Sequence, residues 1–150
     1  MRITGFKHKD DFERVMEINN LCYKGIYCPP RDLMADYTTV SDVYVARVDH
    51  DLVAGIEGKI AGFAIVRNVF QPYIWNIAVD PKYQGRGVGG NLLREIIRTY
   101  TLAKCENISL HVDASNPAQK LYYDYGFRVK WVEEKYFDPE DGLLMERKLP

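Results

Sequence analysis

The spacing of apolar positions predicts two helices in the first forty residues. Residues 3–6 have the pattern of a short edge strand, and Asp10 with Glu13 forms a capping box that predicts a helix start. Apolar side chains then recur at roughly helical spacing, at Phe12, Val15, Met16 and Leu21. The segment Tyr27-Cys28-Pro29-Pro30 breaks this pattern, and a second short helix is predicted over residues 30–37.

The middle of the chain has strand patterns. Residues 43–48 are rich in β-branched and aromatic side chains, which favours a strand. Residues 52–56 and 59–66 flank Glu57-Gly58, and this arrangement predicts a hairpin. Residues 74–79 are almost continuously apolar, so we expect a strand that is covered on both faces.

The second half alternates helices and strands. A helical face is formed by Leu92, Leu93, Ile96, Ile97 and Tyr100. After a strand at residues 108–112, the side chains of Asn116, Pro117 and Gln119 match the start of a helix that ends at Gly126. Strands at residues 127–134 and 143–148 enclose an acidic turn. A long β-meander followed by β-turn-α-β-α-β-β predicts an α+β or layered α/β fold with a central mixed sheet.

Length and composition narrow the class of protein. The chain has 150 residues, with 20 Lys and Arg against 21 Asp and Glu and a formal net charge of −1. One domain over residues 1–150 is expected, and the near-neutral charge argues against a dedicated nucleic-acid partner. No apolar run approaches about 18 residues and the charged start lacks a signal-peptide core, so we expect a cytoplasmic protein without a membrane partner. The three cysteines have no zinc-like spacing, and neither a metal site nor a disulfide framework is predicted.

The most informative segment joins the strand at residues 74–79 to the next helix, with glycines at positions 85, 87, 89 and 90. Backbone N–H groups that lack neighbouring side chains can approach a ligand there, and the helix dipole adds positive potential. From residue 80 to residue 104 the basic side chains outnumber the acidic ones: Lys82, Arg86, Arg94, Arg98 and Lys104 against Asp80 and Glu95. A phosphate or pyrophosphate is the ligand that fits such a loop.

Two other glycine-loop motifs do not fit this segment. Residues 85–90 satisfy the dinucleotide-binding pattern G-x-G-x-x-G, but the five residues 80–84, including Pro81, separate it from the strand, and only one βαβ unit follows. A Walker-type loop is excluded because no Gly-Lys-Ser or Gly-Lys-Thr occurs here.

Three motifs in order resemble one family. Residues 84–89 (QGRGVG) match the signature Q/R-x-x-G-x-G/A of the GNAT superfamily of acetyl-CoA-dependent N-acetyltransferases. Residues 76–81 (NIAVDP) precede it as in that family, and residues 121–127 (LYYDYGF) match its L-Y-x-x-x-G-F element. The chain is most similar to the group that acetylates ribosomal-protein alanine and other protein N-termini. This resemblance implies a mostly antiparallel sheet, splayed at the acetyl-CoA site, with helices on both faces.

The resemblance also implies the residues that bind acetyl-CoA. The strand at residues 77–79 pairs with the pantetheine arm in such enzymes, a backbone N–H near Ala78 or Val79 faces the thioester oxygen, and the loop amides hold the pyrophosphate. The implied contacts are Ile77, Ala78, Val79, Gln84, Gly85, Arg86, Gly87, Val88, Gly89, Gly90 and Asn116. Asn116 precedes Tyr122 by six positions, against the family's seven, so Ser115 is an alternative to it.

Three side chains are candidates for catalysis. Tyr122 is the tyrosine of the L-Y-x-x-x-G-F element, where the family often places the acid that protonates the leaving thiolate. His111 occupies a Leu-His-Val strand in which some relatives have a histidine base, and Tyr73 matches the tyrosine partner of that base. A neutral histidine and a tyrosine can hold a water that relays the proton of the amine. A carboxylate at Glu133 or Glu134 is the alternative base.

The resemblance therefore implies transfer of acetyl from acetyl-CoA to a primary amine by direct attack on the thioester. The expected acceptor is the α-amino group of a protein or peptide, bound between an inter-helix loop and the last hairpin. The implied acceptor contacts are Tyr27, Cys28, Pro29, Tyr136 and Phe137. Two alternatives stay open: a small amine such as a polyamine, amino sugar or amino acid, and a non-catalytic domain that binds acyl-CoA.

Overall fold

The computed structural model describes residues 1–48 and 58–150, which form two compact units. Among these residues, unit 1 comprises Met1–Val66 and Asn76–Leu92, and unit 2 comprises Arg67–Trp75 and Leu93–Pro150. The single domain expected from the length stays a prediction. The strand expected at residues 52–56 and its turn at Glu57 lie outside the described residues.

Seven strands and four α-helices occur in the described residues. The strands are β1 (Arg2–Gly5), β2 (Asp42–Val48), β3 (Lys59–Asn68), β4 (Pro72–Val79), β5 (Asn107–Asp113), β6 (Arg128–Phe137) and β7 (Glu140–Lys148). The helices are α1 (His8–Cys22), α2 (Arg31–Val40), α3 (Val88–Leu102) and α4 (Gln119–Asp124), with 3₁₀ turns at Gly25–Tyr27 and Pro81–Tyr83.

The strands follow the order β1-β2-β3-β4-β5-β7-β6 in one sheet. Antiparallel register joins β1 to β2, β2 to β3, β5 to β7 and β7 to β6. β4 and β5 are parallel and align Tyr73 with Ser109 and Ile74 with Leu110. The prediction of a mixed, mostly antiparallel sheet is confirmed.

Unit 1 has its apolar core on β3 and on one face of α1. β3 is buried from residue 60 to residue 66, because alternate side chains on both faces are apolar. On α1, Phe12, Val15 and Met16 are buried as predicted. Leu21, expected on the same face, is 47% exposed, and Ile18 is fully buried in its place. α2 begins at Arg31, one residue after the predicted start, and continues three residues beyond the predicted end.

The start of α1 differs from the prediction. The helix begins at His8, so Asp10 and Glu13 lie inside it and form no capping box. The Lys7 N–H instead donates to the carboxylate of Asp11, at 2.7 Å. The same Asp11 oxygen pairs with Arg47 on β2, also at 2.7 Å, and both side chains are buried. A tertiary ion pair therefore fixes this helix start where the local motif does not.

Burial along β4 alternates, so the prediction that this strand is covered on both faces is wrong. Pro72, Ile74, Asn76 and Ala78 are buried, whereas the residues between them are half-buried. The alternate positions carry Tyr73 and Trp75, whose rings tolerate partial contact with water because each has a polar group.

Unit 2 contains most of the predicted helical face of α3, where Leu93, Ile96 and Tyr100 are buried and Ile97 is half-buried. α4 starts later than predicted. Asn116 Oδ1 accepts the Ala118 N–H at 2.9 Å, yet the helix begins at Gln119, and Pro117 lies in the turn before it. Gln119 was predicted to be the capping partner, but its side-chain amide donates instead to the carbonyls of residues 113 and 114.

Gly126 ends α4 as predicted, because its positive φ of 87° allows the reversal that closes a helix. Its N–H donates to the Tyr123 carbonyl, and the Phe127 N–H donates to that of Tyr122, both at 3.0 Å. β6 and β7 are longer than predicted, because β6 reaches Phe137 and β7 begins at Glu140. Only residues 138 and 139 remain between them, where an acidic turn over residues 138–142 was expected.

Candidate functional site

The glycine-rich loop of unit 1 lies between β4 and the start of α3. Gly85 and Gly87 have positive φ values of 74° and 80°, a conformation that L side chains rarely adopt. A Cβ added at Gly85 would meet nothing within 4 Å, and one at Gly87 would meet only the Asn91 amide at 4.0 Å. The Asn91 N–H donates to the Gly87 carbonyl at 3.0 Å, which begins α3. The loop is therefore an open backbone surface at a helix N-terminus.

Asp80 anchors the beginning of this loop. Its N–H donates to the Ala61 carbonyl at 2.8 Å, and its carboxylate accepts the Lys82 N–H at 2.9 Å and pairs with Arg14 of α1. Asp80 is 3% exposed, and the hydrogen bond from Lys82 and the charge of Arg14 outweigh the effect of burial and lower the pKa of this carboxyl. Arg14 also donates to the Ile60 carbonyl. Asp80 and Arg14 therefore connect β3, α1 and the glycine-rich loop through hydrogen bonds and one ion pair.

The glycine-rich loop carries exposed positive charge beside its backbone. Lys82 and Arg86 are exposed there, and the Arg86 guanidinium lies 5.6 Å from the centre of the Tyr83 ring. The other basic residues of the stretch contribute less than their number suggests. Arg98 pairs with Glu95 at 2.6 Å, and Arg94 donates to the Tyr125 hydroxyl at 3.2 Å. Backbone N–H groups and two cations are therefore what this surface offers to an anion.

Two carbonyls of β4 accept hydrogen bonds from side chains. The Tyr23 hydroxyl donates to the Ile77 carbonyl at 3.0 Å. The Val79 carbonyl accepts from the Cys22 thiol and from the Gln84 amide, both at 3.2 Å. The expectation that these backbone groups pair with pantetheine stays a prediction, and such pairing must share or displace these donors. Gly62 on β3 lies close by, since a Cβ there would be 2.8 Å from the Ala78 oxygen.

Unit 2 holds a cluster of polar and aromatic side chains around His111, which we call the histidine cluster. Its members are His111 on β5, Tyr73 on β4, and Trp131, Glu133 and Tyr136 on β6. The Tyr73 hydroxyl is 2.7 Å from His111 Nδ1, and Glu133 Oε1 is 2.9 Å from His111 Nε2. The Trp131 indole donates to the same Glu133 oxygen at 3.1 Å. Tyr136 stacks on the imidazole with ring centres 4.3 Å apart and planes 9° from parallel.

A bulge in β6 and a glycine on β7 make this cluster possible. β7 lies between β5 and β6, so side chains of β6 must reach across it to His111. The β6–β7 register shifts between Glu133 and Phe137, and Lys135 within the shift has a positive φ of 52°. A Cβ on Gly142 of β7 would be 2.6 Å from the Tyr136 Cβ. The missing side chain leaves room for Tyr136, and the bulge turns it towards the imidazole.

Hydrogen bonding and burial shift two pKa values in the cluster. The hydrogen bonds from His111 and Trp131 lower the pKa of Glu133, which is therefore a carboxylate near neutral pH. Burial, together with the neighbouring Tyr136, raises the pKa of Tyr73, so its hydroxyl keeps its proton. An ionised carboxylate can only accept, and it faces His111 Nε2.

Tyr122 is only 7% exposed, and its ring meets Phe127 edge-on with centres 6.2 Å apart. Burial raises the pKa of its phenol to about 12, so this group is a proton donor throughout the neutral range.

Asn116 and Ser115, the two candidates for the asparagine that contacts acetyl-CoA in the family, are both exposed. Ser115 donates to Asp113 through both its N–H and its hydroxyl, and the Asn116 side-chain oxygen accepts the Ala118 N–H.

The residues predicted to bind the acceptor divide between the units. In unit 1, Tyr27 is exposed in a 3₁₀ turn, and the Asn19 amide donates to the Pro29 carbonyl at 3.0 Å and lies 3.6 Å from the Cys28 sulfur. Tyr136 and Phe137 belong to unit 2, where their rings meet edge-on. Within unit 2 the structure brings Tyr136 together with the two predicted base residues.

The sequence does not show the side chains that contact His111 and the strand at residues 77–79. Glu133 was an alternative base, and no sequence signal showed that its carboxylate bonds to His111. Tyr23 and Cys22, at the end of α1, were not linked to the strand at residues 77–79. Neither motif nor periodicity identifies such contacts, since the partners are 22 and 54 or more residues apart.

No helix within residues 1–48 and 58–150 is both long and apolar enough to span a membrane. In the same residues, no group of three or more His, Cys, Asp or Glu side chains is arranged to hold a metal ion. The cysteines at positions 22, 28 and 105 are free thiols.

Comparison with known proteins gives one consistent family. Residues 12–127 match the Acetyltransferase (GNAT) family. A putative ribosomal protein bS18-alanine N-acetyltransferase from Bacillus subtilis is 33% identical over 100 residues, which are 64% of this chain and 66% of that protein. The ribosomal protein bS18-alanine N-acetyltransferase of Escherichia coli K12 is 38% identical over 87 residues, 57% of this chain and 59% of that protein. The matched part thus spans less than two thirds of either relative.

A solved structure has the same fold. The ribosomal-protein-S18-alanine N-acetyltransferase of Escherichia coli superimposes with a TM-score of 0.83 and covers 99% of this chain and 93% of its own. Its identity to this chain is 24%, so the likeness is one of fold.

Proposed function

The chain belongs to the GNAT family of acetyltransferases, and from that premise we propose that it acetylates the α-amino group of a protein or peptide N-terminus. Enzymes of this family use acetyl-CoA as the donor, which supplies an acetyl group activated as a thioester. The Escherichia coli relative is a ribosomal protein bS18-alanine N-acetyltransferase, and the Bacillus subtilis relative is named for the same activity, which supports a protein acceptor.

The observation that carries the proposal is the 2.7 Å hydrogen bond between Tyr73 and His111. Amine acetylation needs a base, because an ammonium group has no lone pair with which to attack. A base removes a proton from an α-ammonium of pKa about 8 more readily than from a lysine-like ammonium of pKa about 10.4. A base formed by His111 and Tyr73 thus favours an N-terminal amine over a polyamine as the acceptor.

Unit 1 supplies the residues proposed to hold acetyl-CoA. The N–H groups of the loop at Arg86, Val88 and Gly90 would hold the pyrophosphate, and the open space at Gly85 and Gly87 would admit it. The strand residues Ile77, Ala78 and Val79 and the side chain of Gln84 are the further contacts proposed from the family motif. Asn116, with Ser115 as its alternative, is proposed from the same motif.

Unit 2 supplies the proposed proton donors and acceptors. Tyr122 holds its proton because burial raises its pKa to about 12, and we assign it the protonation of the leaving thiolate. His111 and Tyr73 are assigned the removal of a proton from the amine. Tyr27, Cys28, Pro29, Tyr136 and Phe137 are the proposed contacts of the acceptor.

The test is acetylation of a mixed panel of amines by the purified chain. Peptides with free N-termini, the same peptides with blocked N-termini and an internal lysine, and small amines are each incubated with acetyl-CoA. Thiol release is measured, and mass spectrometry identifies the acetylated nitrogen. We expect turnover with the free N-terminal peptides and none with the blocked ones.

Other outcomes contradict defined parts of the proposal. Acetylation of polyamines, amino sugars or amino acids in preference to every peptide would exclude the N-terminal acceptor and leave the transferase activity intact. Binding of acetyl-CoA without thiol release for any amine would exclude the activity and favour an acyl-CoA-binding domain.

A further inference from the structure

His111 makes a hydrogen bond through each of its ring nitrogens, and this limits where a substrate proton can go. Tyr73 is 2.7 Å from Nδ1, and Glu133 is 2.9 Å from Nε2. A water or amine therefore cannot reach a lone pair of the imidazole without displacing a protein group. The Tyr73 hydroxyl, which also hydrogen-bonds to Tyr136 and to the His111 backbone, is the group of this pair through which a substrate proton enters.

The carboxylate determines which nitrogen of the neutral ring carries hydrogen. An ionised Glu133 has no proton to donate, so the short contact at Nε2 requires an Nε2–H that donates to it. A neutral imidazole has one N–H, and Nδ1 is then an acceptor for the Tyr73 hydroxyl. The His111 side chain is 15% exposed and that of Glu133 is 35% exposed, so water has limited access to this pair.

We propose that Glu133 is a positioning residue of the base, holding His111 in the Nε2–H tautomer so that Nδ1 can take the hydroxyl proton of Tyr73. This inference rests on the proposed acetylation of amines. The amine proton passes to the Tyr73 oxygen, directly or through one water, as the Tyr73 proton moves to Nδ1. The ring becomes an imidazolium, Glu133 stays a carboxylate, and the proton later leaves to water.

Two further side chains hold the carboxylate and the ring in place. The Trp131 indole N–H donates to the same Glu133 oxygen that faces the imidazole, which favours the ionised form and fixes its orientation. Tyr136 stacks on the ring and limits its rotation. Among the described residues, the titratable groups that face His111 are Tyr73 on β4 and Glu133 and Tyr136 on β6.

The first measurement is made on the resting protein and needs no substrate. Nitrogen-15 spectra distinguish the two tautomers of a neutral histidine, and the His111→Gln variant identifies the His111 signals among the three histidines of the chain. We expect the Nε2–H tautomer in the wild type. An Nδ1–H ring would overturn the proposal, whatever the activity of the protein.

The second measurement is the pH profile of kcat/KM for Glu133→Gln. Loss of the carboxylate should lower kcat roughly 10- to 100-fold, leave KM for acetyl-CoA within about twofold, and move the acidic limb to lower pH by about one unit. Trp131→Phe should change the same quantities in the same direction and by less. Glu106→Gln, which removes an exposed carboxylate before β5, should change none of them.

The outcomes separate this inference from the proposed function. If Glu133→Gln lowers only thermal stability and leaves both kcat and the acidic limb in place, the contact is structural and the inference is wrong. If the variant does not fold, the wild-type tautomer and the Trp131→Phe profile still decide. If the wild type acetylates no amine, the proposed function fails, and the tautomer alone then decides whether Glu133 positions the ring.

Discussion

The glycine-rich loop of unit 1 and the histidine cluster of unit 2 differ in what they present on their surfaces. The loop offers backbone, with positive φ at Gly85 and Gly87 and open space where side chains would stand. The cluster offers side chains, and both nitrogens of His111 already have partners. A backbone surface is sensitive to added bulk and charge, whereas a hydrogen-bonded cluster is sensitive to the loss of a single polar atom. Changes in the loop should therefore alter affinity, and changes in unit 2 should alter rate.

The largest effect is expected in unit 2, at Tyr122. Tyr122→Phe removes one oxygen from a buried ring, so the packing against Phe127 and the binding of acetyl-CoA should persist. The rate of acetyl transfer should fall roughly 10²- to 10⁴-fold, the range for loss of a positioned acid. Steady-state kinetics and calorimetry of CoA binding measure the two quantities separately.

The control for Tyr122 is its neighbour on α4. Tyr123→Phe removes the same atom from an exposed ring and should leave the rate within about twofold, because a mutation outside the machinery has little effect. Equal rates in Tyr122→Phe and the wild type, with any good acceptor, would make Tyr122 a core residue only.

The next effect tests whether the histidine cluster acts as one unit. His111→Ala and Tyr73→Phe should each lower kcat/KM roughly 10²- to 10³-fold with little change in CoA affinity, because each breaks the same proton path. The double variant should lose little more than the worse single variant. Multiplying losses would show two independent roles and exclude a shared path.

The acidic limb of the wild-type profile refines this test. Acceptors with different amine pKa values separate two origins of the limb. A limb that follows the acceptor reports deprotonation of the amine, and a limb that stays fixed reports a group of the enzyme. Only the fixed limb agrees with the histidine cluster as the base.

A smaller effect concerns stability at alkaline pH. The folded-state pKa of Tyr122 is raised to about 12, above the ordinary value of about 10 in the unfolded chain. The raised pKa contributes roughly 2–3 kcal/mol to the free energy of unfolding. This contribution is complete below pH about 10 and is lost as the pH rises towards about 12. Urea unfolding of the wild type between pH 8 and 11 should therefore show a steeper alkaline loss than Tyr122→Phe, and parallel curves would contradict the assignment.

The two regions also differ in how far the sequence predicts them. Conformation in the loop is local, since a glycine at 85 or 87 permits a positive φ whatever lies elsewhere in the chain. The apolar spacing of α3 is local too, and its buried face is largely as predicted. Both features depend on neighbours within a few residues.

The histidine cluster depends on contacts that are distant in the chain. Strand alternation alone puts Ser109 and His111 on one face of β5, but it does not show that Glu133 reaches His111 across β7. That reach requires a bulge in β6 and the absence of a side chain at Gly142, and neither follows from periodicity. The predicted start of α1 is wrong for a similar reason, because Asp11 at that helix start pairs with Arg47, which is 36 residues away in the chain.

The smallest effect is expected in the loop, and it separates affinity from rate. Gly89 lies in the first turn of α3, where the helix dipole tolerates a carboxylate, so Gly89→Asp should fold. The new charge repels phosphate and the side chain adds bulk, so the affinity for CoA should fall at least about tenfold, or about 1.4 kcal/mol. Gly5→Asp places the same side chain in unit 1 where a Cβ meets nothing within 4 Å, and calorimetry should show unchanged affinity.

At saturating acetyl-CoA, Gly89→Asp should recover most of kcat, because the histidine cluster and Tyr122 are intact. A folded Gly89→Asp protein with wild-type affinity would show that this loop does not bind the phosphates.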